Sequence, residues 1–115
     1  MAFTVKRVYD PPARTDGTRV LVDRLWPRGL TKAKAQVDGW LKEIGPSTAL
    51  RKWFDHDPAR WAEFKRRYHA ELRANKALVA HLRAFGRKGK VTLLFGAKDT
   101  EHNQAVALLN YLRKR

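Results

Sequence analysis

The 115-residue sequence contains no cysteine, which removes disulfides, thiol nucleophiles, iron–sulfur clusters and thiolate zinc sites from its chemistry. Acidic residues are scarce as well: 11 Asp and Glu stand against 25 Lys and Arg, a formal charge of +14. No apolar run approaches the roughly 20 residues needed to cross a bilayer. The residues after Met1 pass straight into a strand-like alternation instead of the apolar stretch of a secretory signal. The expectation is a soluble, cytoplasmic protein with no membrane partner. Metal-ligand spacing is lacking too. The four histidines are scattered, and His56 between Asp55 and Asp57 does not bring neighbours onto one ion, so neither metal nor cofactor is expected. Without a Gly-x-Ser-x-Gly elbow, a serine hydrolase has no support.

What is present suffices for one core. Hydrophobic residues make up 43% of the chain and four of them are Trp, enough to offset chain entropy in a single domain spanning 1–115. The charge is uneven. Residues 1–57 hold 11 Lys and Arg against 7 Asp and Glu, whereas residues 58–115 hold 14 against 4. Polyanions should therefore favour the C-terminal half, unless the charge serves only solubility.

Apolar and β-branched residues cluster between turn signals at Phe3 to Tyr9, Arg19 to Leu25 and Lys90 to Phe95, which reads as three strands. About nine residues separate the first two, which leaves their relative direction open. Thr31 caps a predicted helix through Val37, and a helical turn is expected over Asp38 to Ile44. Ser47 caps a helix with Leu50, Trp53 and Phe54 on its buried face. Asp57-Pro58 starts a longer helix whose Trp61, Phe64, Tyr68 and Leu72 form one apolar stripe. Asn75 breaks that stripe before Leu78, Val79, Leu82 and Phe85. Gly86 and Gly89 bracket the turn into the third strand, and a last helix is expected from Glu101 to Arg113. Helices alternating with strands predict an α/β fold with a small, mostly parallel sheet of three or four strands flanked by helices.

Two polar clusters follow predicted strands, where sites in α/β sheets gather. In Asp23-Arg24-Leu25-Trp26-Pro27-Arg28-Gly29, the forked guanidinium groups of Arg24 and Arg28 suit a phosphate or carboxylate. Asp23 is a candidate base and Trp26 a stacking wall. The structural alternative is an Asp23–arginine ion pair with Trp26 in the core. In Gly96-Ala97-Lys98-Asp99-Thr100-Glu101-His102-Asn103, amides at a helix start near Thr100, with Lys98, would hold an anion, and His102 would move a proton. Here the alternative is a plain cap by Thr100 or Asp99, with His102 on the surface. Ser47, Arg51, His56 and Asp57 form a third, looser set around Trp53-Phe54.

Lys6-Arg7-Val8-Tyr9-Asp10-Pro11, Asp16-Gly17, Arg19 to Gly29 with its Val-Asp-Arg-Leu-Trp-Pro-Arg-Gly run, Pro46-Ser47, Leu50-Arg51 and Leu93-Leu94 to Asn103 closely resemble the bacterial YeaO-like family of unknown function. The resemblance spans nearly the whole chain. It implies an α/β fold and a shared pocket drawn from Arg7, Asp23, Arg24, Trp26, Arg28, Asp99 and Asn103. A wider, similar set of domains carries a cysteine at the end of the third strand and a Cys-His-Arg segment beyond it. Phe95, Asn103, Gln104 and Ala105 stand at those positions here, so thiol chemistry does not transfer to this chain.

Three readings compete at this level, the least specific being an interaction protein with neither catalysis nor polyanion binding, which predicts a contiguous exposed apolar patch. Of the other two, one is a pocket for a small anionic ligand, either a binding site or an enzyme acting on an anionic metabolite, built from Arg7, Arg24, Arg28, Lys98 and Thr100 with Asp23 and His102 as proton carriers. The alternative is a nucleic-acid-binding module on the basic face of the 58–85 helical region, with Lys65, Arg66, Arg73 and Lys76 as its contacts. Neither composition nor pattern gives an oligomeric state.

Overall fold

A computed structural model describes residues 2–114. Four strands form: β1 (Phe3–Arg7), β2 (Thr18–Leu21), β3 (Gly39–Trp40) and β4 (Val91–Phe95). They lie in the order β1-β4-β2-β3, with every pair parallel. The direction left open by the short first connection is thereby fixed: β1 and β2 run the same way because both pair with β4. Phe3 to Arg7 register with Val91 to Phe95, and Thr18 to Leu21 with Val91 to Leu94. Single bonds from Val8 N–H to the Phe95 carbonyl (2.8 Å) and from Val22 N–H to the Leu94 carbonyl (3.1 Å) extend the ladders.

Five helices accompany the sheet: α1 (Lys32–Ala35), α2 (Thr48–Phe54), α3 (Trp61–Ala74), α4 (Lys76–Lys88) and α5 (Gln104–Arg113). A central parallel strand is covered on both faces, so all five residues of β4 are buried. Val20, Val91, Leu93 and Phe95 point into the main core, against Leu50 and Phe54 of α2, the Phe64-Tyr68-Leu72 stripe of α3, and Ala105, Leu108 and Leu112 of α5. The opposite face is smaller, with Val8, Leu21, Leu94 and Ala35 packed under Trp26, Leu30 and Val37.

Towards the N-terminal ends of the strands that second face is polar. Arg19 is buried and fully engaged: Nη1 reaches Asp16 Oδ2 at 2.6 Å, Nη2 the Ala35 carbonyl at 2.8 Å and Nε the Gln36 carbonyl at 3.1 Å. Burial opposes ionisation of Asp16, yet bonds from the Ala13 N–H, Lys6 and Arg19 outweigh it and hold the carboxyl below its ordinary range. The next residue, Gly17, has φ of +67°, and a Cβ there would lie 2.3 Å from the Lys90 carbonyl oxygen. Only glycine permits that close passage of two backbones.

Most helix boundaries follow their caps. The Thr31 side chain accepts from Lys34 N–H, Ser47 from Leu50 N–H and Asp57 from Ala59 N–H. Four expectations are corrected. Residues 38–44 do not form a helical turn: Gly39–Trp40 pair with Val20 and Leu21 as an edge strand, and only Lys42–Ile44 turn as a single 3₁₀ coil. The first helix stops at Ala35, because Gln36 turns into the left-handed region at φ 48°. Gly86 lies inside α4, its missing side chain making room for the Phe3 ring, and does not open the turn to β4. The last helix begins at Gln104, three residues later than expected, because the Asn103 side chain provides the cap by accepting from Val106 N–H.

Candidate functional site

The C-terminal ends of β1, β2 and β4 open into one cavity of about 510 Å³. Each end sends a short segment over it: Tyr9 beyond β1, Asp23 to Arg28 beyond β2, and Gly96-Ala97 beyond β4. Arg51 and Phe54 of α2, His56 just past it, Phe64 of α3 and the Asn103-Gln104 start of α5 complete the wall.

Asp23 is the carboxylate of the site. Its Oδ2 accepts the Gly96 N–H at 2.8 Å and its Oδ1 accepts the Gln104 side-chain amide. Burial pushes its pKa up to about 6, against the opposing pull of the Gly96 N–H and the charges of Arg51 and His56. A carboxyl poised there exchanges its proton near neutral pH and can serve as donor or acceptor. Glycine suits this contact, since a Cβ on residue 96 would stand 3.0 Å from Asp23 Oδ2 and crowd it.

The three guanidinium groups of the wall are not equivalent. Arg24 is held by backbone, with Nε donating to the Pro46 carbonyl at 2.6 Å and Nη2 to the Gly45 carbonyl at 3.1 Å. It anchors the β2 loop to the segment before α2. Arg28 and Arg51 make no side-chain hydrogen bond or ion pair to another described residue. Arg28 is exposed at the rim, where its carbonyl accepts the Tyr9 hydroxyl at 2.8 Å. Asp55 and His56 both take left-handed φ values, 48° and 53°, which end α2 and turn His56 towards the cavity. Trp26 is a wall and a brace at once. Its indole N–H donates to the Leu30 carbonyl at 2.7 Å, and its ring meets Trp40 edge-on at 5.5 Å.

Of the residues singled out in the sequence, Asp23, Arg24, Trp26, Arg28 and Asn103 line this cavity; Arg7, Lys98, Asp99, Thr100 and His102 do not. Arg7 donates to the Ala97 carbonyl at 3.0 Å and lies over the Tyr9 ring, so it supports the wall from behind. Asp99 caps its own turn, accepting from the amides of Glu101 and His102 and from His102 Nδ1. Those same contacts hold its carboxyl below the ordinary value. The His102 ring stands edge-on to Trp61 at 5.3 Å. Lys98 and Thr100 are exposed, and the amides near Thr100 belong to this turn and not to a helix start. The expected Asp23–arginine ion pair does not form, because Asp23 bonds to Gly96 and Gln104, whereas Trp26 does pack against the smaller core.

Tyr9, Arg51, His56 and Gln104 were not in the expected pocket. Arg51 and His56 belong to the third polar set, whose other members face elsewhere: Ser47 binds Glu71 and Asp57 caps the turn before α3. Gln104 carries no motif, and only its distance of 81 positions from Asp23, closed by the sheet, makes it a partner.

On the basic helical face, Glu63 pairs with both Arg66 (2.6 Å) and Arg67 (2.7 Å), and Lys65 reaches Asn110 at 3.3 Å while lying over Trp61. Arg73 and Lys76 are exposed.

Fold and site define a small α/β protein with its cavity at the carboxyl edge of a parallel sheet. A family described as the inactive DUF488-N3 subclade matches residues 2–115, and the chain belongs to it. Among its relatives is the Escherichia coli K12 "Uncharacterized protein YeaO", 45% identical over 113 residues and 98% of each chain. Mycobacterium tuberculosis Rv3073c and Mycobacterium bovis Mb3100c, both also called uncharacterized, are each 40% identical over 96% of this chain and 93% of theirs. The YeaO-like resemblance is thus established. No solved structure matches the chain. Among the described residues, no helix is long and apolar enough to cross a membrane.

Proposed function

We propose that the chain binds a small anionic ligand in the cavity at the carboxyl edge of its sheet. The observation that carries this reading is the pair Arg28 and Arg51, which line the cavity and whose guanidinium groups are not engaged by the described residues. Guanidinium forks with free N–H groups inside a concave, partly apolar site are what a carboxylate or phosphate requires. His56 lines the same cavity, and Asp23, the carboxylate in its lining, has its pKa raised by burial to about 6. The description of the family as inactive, together with the missing thiol, favours a binding role over catalysis.

Isothermal titration with inorganic phosphate, at low salt and pH 6, tests this. Saturable binding weakened about tenfold by Arg51→Gln is expected, which corresponds to the loss of one charge-assisted hydrogen-bonding partner. Binding that Arg28→Gln and Arg51→Gln both leave unchanged would place the anion elsewhere.

A further inference from the structure

The cavity is far larger than an inorganic anion needs. A water molecule takes ~30 Å³ of liquid, and a tetrahedral oxyanion of five heavy atoms on the order of 100 Å³. The cavity holds about 510 Å³. Its two unengaged guanidinium groups lie on different segments: Arg28 at the exposed rim on the loop after β2, Arg51 on α2. Arg51 on α2 and His56 just past its end line the cavity from that one segment. Much of the remaining wall is aromatic or aliphatic: Tyr9, Leu25, Trp26 and Phe54 all face the space.

Two of these side chains are anomalous for their surroundings. Leu25 is 65% exposed and Tyr9 40% exposed, and Leu25 is the most exposed large apolar residue among those described. Solvation of an exposed leucine does not help the fold, and the sequence around it is otherwise locked: Arg24 by Gly45 and Pro46, Trp26 by Leu30. The loop therefore holds Leu25 outward at the cavity mouth while its two neighbours are fixed. An apolar group entering the cavity would remove Leu25 and the Tyr9 ring from water.

Resting on the anion-pocket reading, we infer that the ligand is an organic acid with a planar apolar body, its oxyanion held at the Arg51–His56 end and its ring covered by Leu25, Tyr9 and Trp26. The body supplies the volume that an inorganic ion leaves empty. The exposed apolar rim then becomes part of the binding surface, and polar discrimination rests with the guanidinium end.

Calorimetric titration of the intact chain with phenyl phosphate, inorganic phosphate and benzyl alcohol tests the inference. Phenyl phosphate should bind at least roughly tenfold tighter than inorganic phosphate, the gain expected from burying one aromatic ring. Leu25→Gln, at a solvent-facing position, should weaken phenyl phosphate several-fold while leaving inorganic phosphate unchanged. Equal affinity for the two phosphates would overturn the inference and leave the anion pocket standing. Benzyl alcohol binding as tightly as phenyl phosphate, with Arg51→Gln silent, would overturn the anion pocket itself. Absence of binding by all three probes would overturn both.

Discussion

Asp23 Oδ2 and the Gly96 amide, 2.8 Å apart, join the loop after β2 to the end of β4 across 73 positions of sequence. Residue 96 leaves that oxygen room by having no side chain, because a Cβ would crowd it at 3.0 Å. Gly96→Ala should therefore push the carboxylate off the amide and cost about 1–3 kcal/mol, the penalty for a buried polar group that loses its partner. Denaturant midpoints measure it, and an unchanged midpoint would show that the loop yields freely.

Asp23 also sets a pH dependence. Its folded pKa of about 6 lies above the ordinary 3.8, so folding favours the protonated acid. That contribution is fully present below pH 3.8 and is lost as pH rises through 6. The wild type should fall relative to Asp23→Asn by on the order of 3 kcal/mol between those limits. Chemical denaturation of both proteins from pH 4 to pH 8 gives the difference directly; a flat difference refutes the buried acid.

The same titration should tune the ligand. Protonating Asp23 removes the cavity's one negative charge, so inorganic phosphate should bind more tightly at pH 5.5 than at pH 7.5, beyond the change due to phosphate's own ionisation. Asp23→Asn should reduce that surplus. Sulfate, which does not titrate in this range, provides the control.

Arg24 and Arg51 share a cavity and should separate in behaviour. Arg24→Met strands the Gly45 and Pro46 carbonyls and should cost about 2–3 kcal/mol of stability. Arg51→Gln should stay within about 0.5 kcal/mol of wild type, as surface changes without lost partners do, and act on binding alone. Thermal unfolding alongside titration distinguishes the two roles.

At the other end of the sheet, Arg19→Met removes the guanidinium from a buried Asp16 and should cost about 3–5 kcal/mol. Asp16 has a depressed pKa, so its contribution is present above the ordinary 3.8 and disappears as pH falls through the folded value. The wild type should therefore lose the Asp16-linked part of its advantage over Arg19→Met in strong acid and keep the part due to the Ala35 and Gln36 carbonyls.

Much of the architecture was legible from local chemistry. Caps at Thr31, Ser47 and Asp57 and the Phe64-Tyr68-Leu72 stripe are written within a few residues of each other, and all form as read. β3 was not, because a two-residue edge strand has no periodicity of its own and exists only where Val20 and Leu21 offer it bonds. The late start of α5 was hidden by competition: Asp99 and Asn103 are both good caps, and Asp99 closed a separate turn while Asn103 took the helix. That competition also explains the cavity wall. Moving the helix start by three residues carries the Lys98–His102 turn outside the cavity and turns Gln104 in to Asp23. Arg51 and His56 were visible as polar residues beside a buried aromatic anchor, but only tertiary packing brings α2 to the β2 loop.

The strand order imposes a schedule on folding. β1 and β2 make no ladder with each other; each awaits β4, which lies some 70 to 90 residues further along the chain. Until residue 95 has left the ribosome, the nascent polypeptide can close only the two-residue β2–β3 ladder, and the long-range closure that follows is the slow step for such topologies. The hollow between the strand ends therefore comes into being last, in the same event that completes the sheet.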